Sequence, residues 1–203
     1  MMNTLSPLID EANRVIVEAI KHFSLTVPAE KILVTIQSKG RKNAVGWFWH
    51  GRWNKTKKSQ FHEINMSAEH LTTHNMGELL LHELAHAEND HKEIKDCCGR
   101  RHNKKFKVMA EALGLVVLDP DKSVGYGYTD LGDGAKTFLA KIAFKRELFE
   151  LCRITPGPKA PKPGSRMLKC VCPACGYTVR TTQKWLDVGV PTCACGEEME
   201  SAT

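Results

Sequence analysis

The spacing of apolar and polar residues divides the chain into segments. Over residues 5–23, Leu5, Leu8, Ile9, Ala12, Val15, Ile16, Ala19, Ile20 and Phe23 recur every three or four positions among charged residues, the stripe of an amphipathic helix. Beyond Pro28 the period shortens. Residues 31–37 (KILVTIQ), 44–51 (AVGWFWHG) and 61–66 (FHEINM) read as strands, and connections too short for a crossover helix predict antiparallel pairing. Asn75 or Thr73 can cap a helix through MGELLLHELAHAENDH at 76–91. Polar residues from 89 to 101 interrupt it, and a further helix over 102–113 ends at Gly114. LVVLDPDKSVGYGYTDLGDG reads as short strand and loop, and KTFLAKIAFKRELFELC as a last helix. The segment TPGPKAPKPGS has four prolines and cannot pack as an element.

These segments predict an α+β domain over 1–155, in which a small antiparallel or mixed sheet of three to four strands packs on helices. A linker over 156–168 and a small C-terminal domain over 169–203 follow. With 203 residues, 42% apolar and 26% charged, the chain can bury a real core, which excludes global disorder. The longest strongly apolar run, residues 112–118, is far too short for a bilayer, and the N-terminus lacks a basic segment leading into an apolar one. A cytoplasmic chain without a membrane partner is expected.

The chemistry concentrates at LLLHELAH. His82 and His86 are four residues apart, so on a helix both imidazoles point the same way, and Glu83 sits about 100 degrees around from His82. That arrangement can hold a zinc ion beside a carboxylate that takes a proton from water. A catalytic zinc needs a third protein ligand. His102 is the first candidate, because on a helix it shares a face with Phe106, Met109 and Leu113, whereas Glu111 falls on the opposite side. His91 is the second. Glu83 is then the general base. The strand at 61–66 could offer an edge to an extended peptide, and Tyr126 and Tyr128 are candidate oxyanion donors or simply packed loop aromatics.

The stretch LLLHELAHAENDHKEIKDCCGRRHNKKF, with FHEINMS before it, resembles the SprT-like family of zinc metallopeptidases. The resemblance places that family's motif on His82, Glu83, His86, His102 and Phe106 and spans roughly residues 5–155. It implies a zincin-like fold, a polypeptide substrate, and an association with DNA known for some members. Glycines are usual around the third histidine, whereas here it follows ArgArg.

Five of the eight cysteines crowd into residues 170–195, metal-site spacing rather than a disulfide framework. Cys172, Cys175, Cys193 and Cys195 read as a zinc ribbon, with Cys170 as an alternative to Cys195 because the second knuckle has one intervening residue where two are usual. Two zinc ions are thus expected, one catalytic and one structural. Cys97 and Cys98, adjacent in sequence, are taken as structural.

The formal charge is +6, and residues 39–58 carry seven Lys/Arg and no acid, interleaved with Trp47, Trp49 and Trp53. Lys55, Lys57 and Lys58 are candidate phosphate contacts to DNA, including single-stranded DNA. Trp47 and Trp49 share a strand face, so they are either core or base-stacking groups. Two readings follow. One is a zinc metallopeptidase acting on DNA-associated proteins; the other is a non-catalytic nucleic-acid-binding or interaction module with structural zinc sites.

Overall fold

A computed structural model of the chain describes residues 4–38, 44–56, 59–154 and 167–202. The chain divides into two compact units, Met1–Thr155 and Pro156–Thr203. The first is mixed α and β. Helix α1 (Ser6–His22) leads into strands β1 (Ile32–Gln37), β2 (Gly46–Thr56) and β3 (Ser59–Ser67), followed by helix α2 (Met76–His91). Strands β4 (Cys97–Cys98) and β5 (Arg101–His102) precede helix α3 (Lys104–Ala112), then come β6 (Leu115–Val117), β7 (Thr129–Leu131) and helix α4 (Asp133–Lys141).

The sheet order is β1-β3-β2, with β1 parallel and β2 antiparallel to β3. Wholly antiparallel pairing is therefore corrected. A parallel pair needs a return path, and here the antiparallel strand β2 supplies it in place of a helix. A second correction follows: β3, the strand at 61–66, lies in the middle of the sheet with both edges paired, so it has no edge to offer, and β2 is the free edge on that side.

Helix α2 is the axis of the unit. Nearly every side chain from Met76 to Asn89 is buried, so unlike the one-sided α1 it is enclosed by packing on almost all faces. Asn75 caps it by accepting bonds from the Gly77 and Glu78 N–H groups. A buried helix must pair each of its polar side chains. Glu88, wholly buried, accepts bonds from the Thr26 and Val27 backbone N–H groups and the Thr26 hydroxyl, with Lys92 2.7 Å away. Burial works to raise its pKa, but these bonds outweigh it and hold the carboxyl below its usual range.

The last helix is shorter than the sequence pattern implies. It stops at Lys141, and a 3-10 turn at Arg146–Phe149 follows. Ala143 takes a positive φ of 47°, and the Phe144 N–H bonds back to the Leu139 carbonyl, closing the helix. The break is held from outside: Arg14 on α1 donates to the Ile142 carbonyl at 2.8 Å, and buried Glu11 accepts the Lys145 N–H at 2.9 Å. Helix α3 likewise begins later than expected, with Asn103 as its cap, so His102 lies on β5 and not on the helix.

In the second unit β8 (Leu168–Val171), β9 (Thr178–Thr181) and β10 (Glu200–Ala202) form a sheet of order β10-β8-β9, with the short helix α5 (Gln183–Leu186) between the last two strands in sequence. The linker residues 155–166 lie outside the described residues. Among the described residues no helix is long and apolar enough to cross a membrane.

Replacing Glu88 by Ala leaves the buried Val27 N–H without its partner and removes the bonds from Thr26, which should cost about 2 kcal/mol in urea unfolding, against a smaller loss for Glu88→Gln. Because the folded carboxyl titrates low, this stability is present above the ordinary carboxylate range and is lost as pH falls through the folded pKa. A loss below about 0.5 kcal/mol for the Ala variant, the range of an ordinary surface change, would contradict the assignment.

Candidate metal centres

His82 and His86 stand one turn apart on α2, and His102 reaches them from β5. One ring nitrogen from each lies within 4.8 Å of the others. Phe106, the residue four beyond His102, packs under all three, its ring centroid 4.7, 4.6 and 4.5 Å from those of His82, His86 and His102. Phase along α3 does not aim His102, since it precedes that helix. The backbone does: the His102 N–H donates to the Val124 carbonyl at 2.9 Å, and the Tyr126 N–H donates to the His102 carbonyl at 3.2 Å.

Each imidazole is held through Nδ1 by a different partner. His82 Nδ1 lies 2.9 Å from the Thr129 hydroxyl, which itself donates to Glu78. His86 Nδ1 lies 2.7 Å from Asp96, a carboxylate also bonded by Asn89. His102 Nδ1 lies 3.2 Å from the Val124 carbonyl. Carbonyl, carboxylate and a hydroxyl already donating elsewhere all accept, so the proton sits on Nδ1 and Nε2 keeps its lone pair. Nε2 of His86 and Nε2 of His102 are 3.0 Å apart. Two nitrogens bound to one tetrahedral zinc sit about 3.3 Å apart, so the His86–His102 pair fits such an ion, and His82 offers a nitrogen within 4.8 Å of both.

Burial and the charge of its neighbours push His82 well down, and burial first, then His86, lowers His102 to about 4; both rings are neutral at neutral pH. Asp96 moves the other way. Burial favours its neutral form, but the bonds from His86 and Asn89 win and hold it below its usual range. Glu83, 4% exposed, is raised to about 7 chiefly by burial, against the pull of His86 and of the Phe48 N–H. Glu78 rises to about 7 for the same main reason.

These groups line one cleft, between β2 (Trp47, Phe48), α2, residues 93–102 and the loop 123–129. Tyr128 lines it and is half exposed, whereas Tyr126 packs against the core with Lys107 5.4 Å from its ring centre. Only Tyr128 therefore keeps the place assigned to both. His91, exposed at the end of α2, is not among the ligand clusters of the described residues. Cys97 clusters with His86 and Asp96, and burial, then the Asp96 charge, pushes its thiol up to about 12; Cys98 is exposed and outside that cluster.

Sequence reasoning missed the clasp around His102. Gly125 has a φ of 61°, and a Cβ there would meet the His102 carbonyl oxygen at 2.2 Å. At Gly127 a Cβ would sit 2.6 Å from His102 Nδ1. The GlyTyrGly repeat was the available signal, since two glycines around one aromatic mark a close backbone approach. Asp96, the partner of His86, carried no sequence signal of its own.

In the second unit Cys172, Cys175, Cys193 and Cys195 form a potential metal site. Sγ separations of 3.4 Å (172 to 195), 3.5 Å (175 to 193) and 3.8 Å (175 to 195) are close to the roughly 3.8 Å between sulfurs on one tetrahedral zinc and far from a disulfide bond. The Cys175 N–H pulls Cys172 down to about 7. The Glu197 N–H also pulls on Cys195, but bonds with the Cys172 and Cys193 sulfurs outweigh it and push that thiol up to about 12. A divalent cation relieves this crowding of thiolates. Cys170 is wholly buried in the small core with Met199 and Val179, outside the cluster, so the alternative of Cys170 for Cys195 is corrected.

On the basic hairpin, Trp49 and Trp53 are each 46% exposed, and the Arg52 guanidinium lies 4.3 Å from the Trp49 ring centre. Trp47 and Trp49 pair with Asn65 and Glu63, on the face away from Ile64 and the helices, which removes them from the main core. Lys57, Lys58 and the side chain of Lys55 lie outside the described residues.

Gly127→Ala should displace the His102 ring and weaken metal binding by the first unit about 10- to 100-fold in a chelator competition, the range for loss of a ligand's outer support. Unchanged affinity would contradict the clasp. Set against known protein families, curated proteins and solved structures, the chain matches none.

Proposed function

We propose that the chain is a zinc-dependent endopeptidase of the SprT-like type. One observation carries the reading: three imidazoles with Nδ1 anchored and Nε2 left free converge in a cleft that also holds the buried carboxyl of Glu83. The sequence resemblance over residues 60–113 points the same way. A zinc ion held by His82, His86 and His102 would polarise a scissile carbonyl and acidify a water.

The protein's own groups do the rest. Glu83 is enclosed by packing and raised to about 7, so it can take a proton from the attacking water near neutrality and return it to the leaving amine. The Phe48 N–H, on the edge strand β2, favours its ionised form against the effect of burial. An extended peptide can add to β2 through main-chain bonds, with Gly46 and His50 also lining the cleft. Tyr128 lines the cleft from the opposite loop, and its hydroxyl would donate to a developing oxyanion. A purely structural histidine site has no use for a buried carboxylate beside it.

A DNA-associated substrate draws support from Trp49, Trp53 and Arg52, exposed aromatic and cationic groups suited to stacking on unpaired bases. The C-terminal unit then acts as a folded module whose cysteines hold a structural zinc.

Glu83→Gln should lower cleavage of a DNA-bound protein by about 10²- to 10⁴-fold while leaving zinc content unchanged, and single-stranded DNA should raise the native rate. Full turnover in the Gln variant would end the mechanism. Native chain that binds DNA and zinc but cleaves no offered polypeptide would favour the non-catalytic module.

A further inference from the structure

A second group of ligands lies beside the three histidines. Asp90 is on α2 one turn beyond His86, and its Oδ2 lies 2.6 Å from His50 Nδ1 and 3.7 Å from His62 Nδ1. One ligand atom from each of the three lies within 4.8 Å of the other two. We propose that His50, His62 and Asp90 form a further site for a divalent transition-metal ion at the rim of the cleft, separate from the His82, His86 and His102 set.

The fold builds this group from three elements. Continuing the β2–β3 register past Trp49 and Glu63 sets His50 opposite His62, and the ladder breaks immediately beyond, the next pair being Trp53 with Phe61. Gly51, with a φ of 53°, turns the chain in that bulge. The two rings end 4.9 Å apart, and His62 stacks on Phe48 at 5.7 Å. The Gly51 N–H lies 3.4 Å from His62 Nδ1, at the long limit of a hydrogen bond, so it competes only weakly for that nitrogen's lone pair. A hydrogen bond between Asp90 and His50 accounts for one ring only, and His62 Nδ1, 3.7 Å from the same oxygen, is too far to share it but close enough to share an ion.

Asp90 also sits in the last turn of α2, where the helix dipole presents its negative end. A carboxylate there is unfavourable alone, and a cation between it and two imidazoles removes the conflict. Around a tetrahedral zinc, neighbouring donors sit about 3.3 Å apart, and the two measured distances straddle that value. Two imidazoles and one carboxylate suit zinc, cobalt, nickel or copper, not calcium or magnesium. The His50 side chain is 63% exposed and that of Asp90 30%, so the ion would exchange readily. His50 and Asp90 both line the cleft, so a remaining coordination position would face whatever molecule lies there.

The test uses the full chain and zinc alone. After equilibrium dialysis at buffered free zinc, elemental analysis should find one fewer ion per chain in His50→Ala and in Asp90→Asn than in the native protein. His50→Ala removes a mostly exposed ring, so in excess chelator its melting temperature should match the native value. Cobalt(II) provides a second readout: the native minus His50→Ala difference spectrum should show ligand-field bands without thiolate charge transfer. The difference of one ion is read whether or not His82, His86 and His102 hold a metal, so this proposal and the peptidase reading fail separately. Equal zinc content in native and His50→Ala protein would overturn it.

Discussion

The first unit depends on the outward bonds of three imidazoles. Each Nδ1 is held by a different part of the chain: the Thr129 hydroxyl on β7, the Asp96 carboxylate before β4 and the Val124 carbonyl in the loop. Since each partner accepts, all three rings take the same tautomer and turn the same nitrogen inward. The convergence of Nε2 atoms thus follows from supporting contacts spread over some fifty residues, from Glu78 to Thr129. Phe106 closes the floor beneath the rings.

That arrangement requires a helix buried on almost every side. An exposed α2 would let water compete for Glu83 and for the ring nitrogens. An enclosed one favours a fixed partner for each polar side chain, and Glu88 and Asn89 have theirs in Thr26, Val27 and Asp96. The same burial that raises Glu83 to about 7 keeps His82 neutral. Fold stability and the shifted proton affinities therefore share one cause, and the cleft opens between α2, β2 and the 123–129 loop.

Much of this was legible in the chain. The extent of the amphipathic α1, the bounds of α2 with its Asn75 cap and the four-cysteine cluster all express local rules of period, capping and spacing. What was not legible depends on contacts distant in sequence. Pairing of β1 with β3 is a choice between partners that alternation alone cannot make. The break at Ala143 contradicts its helix propensity because Arg14 and Glu11, about 130 residues earlier, grip the chain there. His102 lies with His82 and His86, but helix phase does not bring it there, since a strand and a glycine clasp aim it and not a helix face. For Tyr126 and Cys170 the sequence leaves two alternatives open for a related reason: each is drawn into a core that only the folded chain reveals.

The two units use different donor chemistry. Four cysteine sulfurs gather at one potential metal site, and three histidine nitrogens gather at another in a cleft that a carboxylate also lines. The most direct measurement is anomalous diffraction at the zinc absorption edge from crystals of the full chain. The account predicts a peak about 2 Å from Nε2 of His82, His86 and His102, in addition to one among the cysteine sulfurs. Anomalous density at the sulfurs with none near those three nitrogens would contradict it.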